Sequence, residues 1–324
     1  MSDSPNALSR LWRHLFGRED EPVASTTTTQ VQSPTDFVDK DADSTQPLPD
    51  LAELELPDAA KPRHDGARHF VLGIGQDTGM MRTHNEDALL AFTGELAGHD
   101  PMPAFGVFVM ADGMGGHSLG ERASGVAART AAQTALGHLL PTLMADPGDD
   151  DLDRPLLGEV VEEAVMQANR AVHDRVPDGG TTLTTALILG EQLVLGHVGD
   201  SRCYLISAEG LEQLTRDHSL VQRLKELGQI TDEEAAVHPQ RSVLYRAVGQ
   251  GEGLEVDVIS RRLEPGSRVL LCSDGLWGLV PDHTMLQLIR SAPSLQAACD
   301  SLIMAANAAG GPDNISVVIV QIPS

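Results

Sequence analysis

Residues 107–117 read VFVMADGMGGH, an apolar run that stops at Asp112 and gives way to Gly113, Gly115 and Gly116. The run has the composition of a buried strand. A carboxylate at its end is held rigidly, and the glycines let backbone carbonyls come close to a ligand. Oxygen-only donors of this kind suit Mg2+ or Mn2+. Alone, the pattern also fits an ordinary turn, because Asp-Gly is common in hairpins. Three other places repeat the device. RTHNED (82–87) precedes a short apolar run, LLCSDG (270–275) ends one, and GPDN (311–314) opens the last one. Carboxylates placed where strands meet loops, without matching basic residues, point to a hard-cation site.

Working outward, apolar runs predict strands over residues 69–75, 88–92, 105–111, 184–189, 192–198, 202–206, 268–272 and 315–322. Gly190-Glu191 reads as a tight hairpin and residues 199–201 as a second turn, which makes a meander. Apolar residues recurring every three or four positions predict helices over 118–140, 156–176 and 294–309, the last stopped by Gly310, Gly311 and Pro312. Residues 217–248 read as a polar helical insertion, capped by Asp217-His218-Ser219 and stopped at Gly228. Strands at both ends with helices grouped between them predict an α+β domain.

The 324 residues carry 47 acidic and 23 basic side chains, a net charge of −24. That balance argues against nucleic acid as a partner, because phosphate-backbone binding needs a basic surface. Aromatic content is only 3%, so the core must rest on Val, Leu, Ile, Ala and Met. Cys203, Cys272 and Cys299 are few and widely spaced, without a CxxC pair; this predicts a reducing, cytoplasmic setting. No run approaches the ~20 apolar residues of a membrane span.

Residues 1–67 differ from the rest. The segment is rich in Thr, Pro and scattered acids, a composition that buries too little apolar surface to offset the entropy of ordering. It is predicted to be a disordered extension preceding a domain over 68–324. Within it, Leu8, Leu11, Trp12, Leu15 and Phe16 alternate with Arg10, Arg13, His14 and Arg18. This predicts a short basic amphipathic helix over 7–18, suited to docking on a partner or a membrane surface.

Taken together, DTG (77–79), Arg82, NED (85–87), ADGMGGH (111–117), GTT (180–182), GDSR (199–202), SDGLW (273–277) and GPDN (311–314) resemble the metal-dependent serine/threonine protein phosphatases of the type 2C family, in its bacterial form. The likeness covers about residues 69–322. It implies a sandwich of two antiparallel β-sheets flanked by helices, in an α-β-β-α arrangement. Two divalent cations, Mn2+ or Mg2+, would sit in a cleft at the sheet ends. Asp112 would bridge both ions, Asp274 and Asp313 would complete one site, and Glu86 with the Gly113 carbonyl would serve the other. Arg82 would grip the substrate phosphate, and Asp87 would orient the attacking water. Asp178, just before GTT, would join Asp274 at a third metal.

The resemblance also implies hydrolysis of phosphoserine and phosphothreonine in one step, without a phosphoenzyme, opposing a bacterial Ser/Thr kinase. Residues 217–248 correspond to the mobile flap beside the cleft. Family members of the eukaryotic type carry a histidine where this chain has Met114, so that proton donor is absent; His117 and His84 are the nearby candidates. Two further readings stay open on sequence alone: a non-catalytic phosphoprotein-binding module, and an enzyme for small phosphate esters.

Overall fold

The structure is a computed structural model that describes residues 69–96, 102–116, 118–145, 156–251 and 253–323. The extension over 1–67, its helix over 7–18, and His117 all lie outside the described residues.

The last strand, β11 (Ile315–Gln321), is buried over six of its seven residues, the mark of a strand covered on both faces. It lies between β1 (Val71–Asp77) and β10 (Arg268–Cys272); β7 (Arg202–Ile206) and β8 (Leu211–Gln213) follow, all pairs antiparallel. The second sheet runs β2 (Asp87–Leu96), β3 (Met102–Met114), β5 (Leu183–Leu189), β6 (Gln192–Val198) and β9 (Asp257–Arg262). The two-residue β4 (Gly180–Thr181) pairs with the far end of β3.

Strand periodicity sets the layers. Along β3, Val107, Val109 and Ala111 pack against helices α1 (Ser118–Leu143) and α2 (Leu157–Arg175). Phe108 and Met110 instead meet Leu271 and Val318 of the other sheet. On the far side, α6 (Asp282–Ser291) and α7 (Leu295–Ala308) cover Leu270, Cys272 and Val317. The result is the expected α-β-β-α sandwich. The scarcity of aromatics is met by small residues: Ala123, Ala127, Ala131 and Ala135 form a buried stripe on α1. Three short helices complete the described residues: α3 (Leu220–Glu226), α4 (Asp232–Ala236) and α5 (Asp274–Trp277).

Five elements escaped the sequence reading. β4 and β8 are too short, at two and three residues, to carry a pattern. β9 alternates exposed and half-buried residues at a sheet edge, and so lacks an apolar run. α6 buries only Met285 and Ile289. Asp274 opens the four-residue α5 directly after the predicted strand over 268–272. The segment 217–248 holds two short helices: Ser219 accepts from the Gln222 N–H to cap α3, and Gly228 takes a positive φ of 67° after it.

Thr185 lies on β5 between Leu183 and Leu187, which face the helices. Its buried hydroxyl has no hydrogen-bond partner among the described residues. An orphaned hydroxyl costs about 1–3 kcal/mol. Thr185→Val is therefore expected to stabilise the protein by about 1 kcal/mol, raising its melting temperature by about 2–4 °C. A lower melting temperature would show that the hydroxyl is satisfied.

Candidate active site

The even positions that carry Phe108 and Met110 into the space between the sheets continue to Asp112, which falls at the mouth of the sandwich. The strand does not stop there, as the sequence suggested: Gly113 and Met114 remain in β3 by pairing with Thr181 and Gly180 of β4. This second pairing immobilises the Asp112 backbone. Its carbonyl accepts from the Thr182 N–H and the Thr181 hydroxyl, both at 2.8 Å, and its N–H donates to Thr182 Oγ1 at 2.9 Å.

Asp87 stands directly opposite Asp112 in the β2–β3 register. The Ser273 hydroxyl, from the other sheet, donates to Asp87 Oδ2 at 2.8 Å and accepts the Ser316 N–H at 3.0 Å. Asp87 Oδ1 is buried and has no partner among the described residues. Asp274, next in sequence, begins α5. Arg82 Nη2 lies 2.8 Å from Asp313 Oδ2, at the exposed rim.

The fourth loop is tied in by Asn314. Its Oδ1 accepts the Glu86 N–H at 2.8 Å, and its Nδ2 donates to the carbonyls of Thr78 and His84. The Gly113 N–H donates to the Glu86 carbonyl, which also takes the Ser124 hydroxyl at 2.5 Å. The Glu86 side chain is buried against Gly120 of α1, where any larger residue would collide with the carboxylate.

The electrostatics of this cluster are unfavourable on their own. Burial, then Asp87, Asp274, Asp200 and Asp313, push the Asp112 carboxyl well above its ordinary range. Burial raises Asp87 to about 7, against the hydrogen bond from Ser273. Burial and Asp313 raise Asp274 to about 6. Burial opposes the Arg82 charge, but Asp313, with Glu86 and Asp112 behind it, outweighs burial and raises its pKa.

Among the described residues no three His, Cys, Asp or Glu side chains are already close enough to hold one ion. Three features nevertheless fit divalent cations. The donors are all oxygens, as hard cations require. Asp87 Oδ1 is a buried acceptor without a hydrogen-bond partner among the described residues. At Gly113 a Cβ would run into the backbones of Gly120 and Glu86, so these segments approach closely there only because no side chain is present.

Asp200 was missed as a site residue, although GDSR was recognised as a motif. It is buried, and Asp274 and Asp217 join burial in raising its pKa. The available signal was an acid at a glycine turn between two apolar runs, the device already seen at Asp112. Trp277 was also missed: its Nε1–H donates to the Asp200 carbonyl at 3.0 Å, and the Arg202 guanidinium lies 3.5 Å over its ring. Arg202 in turn makes a two-pronged pair with Asp217 at the start of the 217–248 segment. Between that segment and the acids lies a cleft of about 330 Å3, lined among others by Asp200, Asp274, Asp313, Trp277, Val221 and Lys225.

Asp178 is exposed in a turn with a positive φ of 65°, its carbonyl near Gly115. His84 is exposed, and only its backbone carbonyl enters the network.

Behind the cleft, His197 is fully buried. Its Nε2–H donates to the Arg216 carbonyl at 3.1 Å, so Nδ1 accepts the Thr184 hydroxyl at 2.8 Å. Burial and the neighbouring His218 depress its pKa to about 4. The unfolded chain then binds a proton that the folded chain refuses. This stability is fully present above pH ~6.5 and is lost as pH falls toward 4, by up to about 3 kcal/mol. Urea unfolding of His197→Gln is expected to show a shallower loss between pH 7 and 4.5 than the parent; equal slopes would contradict the assignment.

Comparison with known proteins agrees with this geometry. The sequence pattern of the protein phosphatase 2C family matches residues 77–315. The serine/threonine phosphatase stp of Listeria monocytogenes is 38% identical over 245 residues, covering 76% of this chain and 93% of that protein. The serine/threonine protein phosphatase PstP of Mycobacterium tuberculosis is 39% identical over 252 residues, 76% of this chain and 44% of that protein. The crystal structure of the latter superposes with a TM-score of 0.62 at 36% identity, covering 79% of this chain and 99% of that one. A crystal structure of the catalytic domain of a serine/threonine protein phosphatase PstP in complex with two manganese ions gives 0.59 at 34% identity, over 78% of this chain and 97% of that one. The chain belongs to the protein phosphatase 2C family.

Proposed function

We propose that the chain is a metal-dependent protein serine/threonine phosphatase in which Asp112, Asp274 and Asp313 hold one divalent cation, and Asp112, Glu86 and the Gly113 carbonyl hold a second. The observation that carries this reading is the convergence of four separate segments, with Asp87, Asp112, Asp274 and Asp313, on one partly buried acidic cluster. Like charges stripped of solvent are mutually repulsive; divalent cations turn the same arrangement into an attractive one. When bound, such ions acidify a shared water and neutralise charge on the phosphate.

The chain's own residues supply the rest. Arg82 presents a planar fork of donors to the phosphate oxygens at the rim. Asp87, steadied by Ser273, keeps Oδ1 available to orient and deprotonate the attacking water. Cys203 and Cys272 are buried, and burial raises both thiols out of the reactive range, so neither serves as a nucleophile. In this reading water attacks phosphorus directly. Asp178, beside Gly115, is the proposed acid for a third ion together with Asp274, and the 217–248 segment is the proposed flap that selects the phosphoprotein.

No helix among the described residues is long and apolar enough to cross a membrane. A cytoplasmic setting, a Ser/Thr kinase among the substrates, and docking through residues 7–18 belong to the same proposal. The test is turnover of phosphoserine, phosphothreonine and phosphotyrosine peptides by full-length protein with Mn2+ and with EDTA. Mn2+-dependent release of phosphate from the first two is expected. Turnover that persists in EDTA, or is no better on peptides than on an aryl phosphate, would overturn the assignment.

A further inference from the structure

At the end of the sandwich away from the acids, a cavity of about 550 Å3 opens between the β7–β8 turn, the β9–β10 turn and the last turn of α6. It falls in the ~300–1,000 Å3 range of small-ligand sites. Strand β10 separates the two places: Arg268 begins it, and Asp274 follows its other end, roughly 20 Å of chain away.

Two arginines line this cavity, Arg268 and Arg290. Neither makes an ion pair among the described residues. Arg268 donates from Nε to Gln321 Oε1 and from Nη1 to the Ile289 carbonyl, both at 3.2 Å. Its Nη2 makes no bond among the described residues. Arg290 donates from Nη2 to the carbonyls of Ser207 and Ala208, at 3.0 and 3.2 Å, and its Nε and Nη1 make none there. Each guanidinium is thus anchored by two bonds to neutral acceptors, with N–H donors left over.

In a chain with 47 acids and 23 bases, two guanidiniums on one cavity without a carboxylate partner are a local reversal of charge. Glu264 lines the cavity as well; its backbone carbonyl accepts from the Ser267 N–H and hydroxyl, and its carboxylate pairs with neither arginine. Spare N–H donors on two guanidiniums match the oxygens of a dianion. The volume leaves room for an organic group behind it.

We infer that this cavity binds the phosphate group of a phosphomonoester or free phosphate, at a site separate from the hydrolytic centre and independent of it. Calorimetric titration of the full-length chain in EDTA, which stops turnover, tests this with two probes: inorganic phosphate and a phosphoserine peptide. The exposed Arg290→Gln change is expected to weaken binding of at least one probe by about tenfold or more, while Arg82→Ala leaves that component in place. Arg290→Lys, which keeps the charge and loses the separate Nε and Nη1 donors, is expected to fall between. Loss with phosphate alone identifies the free anion as the ligand, and loss with the peptide alone identifies the phosphorylated side chain. Titrations unchanged by both Arg290→Gln and Arg268→Gln, abolished by Arg82→Ala, or reproduced by sodium chloride at equal ionic strength would overturn the inference.

Discussion

Asp112→Asn is expected to lower kcat by at least about 10^3-fold, equivalent to about 4 kcal/mol of transition-state stabilisation. The amide keeps the size of the side chain and the backbone clamp of Thr181 and Thr182, so the β3–β4 pairing survives. What disappears is the charge at the centre of the cluster, opposite Asp87 and near Asp274, Asp200 and Asp313. The same removal of repulsion predicts a second effect in the opposite sense. In EDTA at neutral pH, the variant is expected to melt above the parent, because one desolvated like charge is gone. Activity and melting temperature measured on one preparation check both. Loss of activity with a lowered melting temperature would instead mean that Asp112 is needed for folding. Asp274→Asn is expected to follow the same two directions.

Asn314→Ala should act through geometry. Its side chain holds the Glu86 N–H and the Thr78 and His84 carbonyls, so three backbone groups from the loop carrying Arg82 lose their partner together. Leaving buried polar groups unpaired costs about 1–3 kcal/mol each, and about 3 kcal/mol in all is expected here because some regain water. Turnover should fall by about 10^2-fold, since small displacements of positioned groups cost that much. Chemical denaturation and steady-state kinetics read the two losses. Asn314→Asp retains the acceptor for Glu86 and loses both donors; it should fall between the parent and the alanine variant. Wild-type kinetics in Asn314→Ala would show that the loops are held by other contacts.

The buried strands were legible because both of their faces are covered, which writes nearly continuous apolar runs such as ISVVIVQ. β9 and α6 were not, because each buries little of itself, and edge elements carry a weak pattern. At the site, acids at the ends of apolar runs could be seen one by one, yet their meeting depended on pairings more than 150 residues apart, such as Ser273 with Asp87. Asp200 escaped for a related reason. Its turn was recognised, but its role depends on nearness to Asp274, which neither residue's local sequence records. Asn314 and Trp277 serve through hydrogen bonds to backbone groups of other segments, and such partners leave no mark in sequence spacing.

Anomalous diffraction from a crystal soaked in Mn2+ tests the central claim most directly. Two peaks about 3.5–4 Å apart are expected, with Asp112 contacting both ions, Asp274 and Asp313 on one side, and Glu86 with the Gly113 carbonyl on the other. A map without manganese peaks among these residues, from crystals of protein that turns over phosphopeptides, would contradict it.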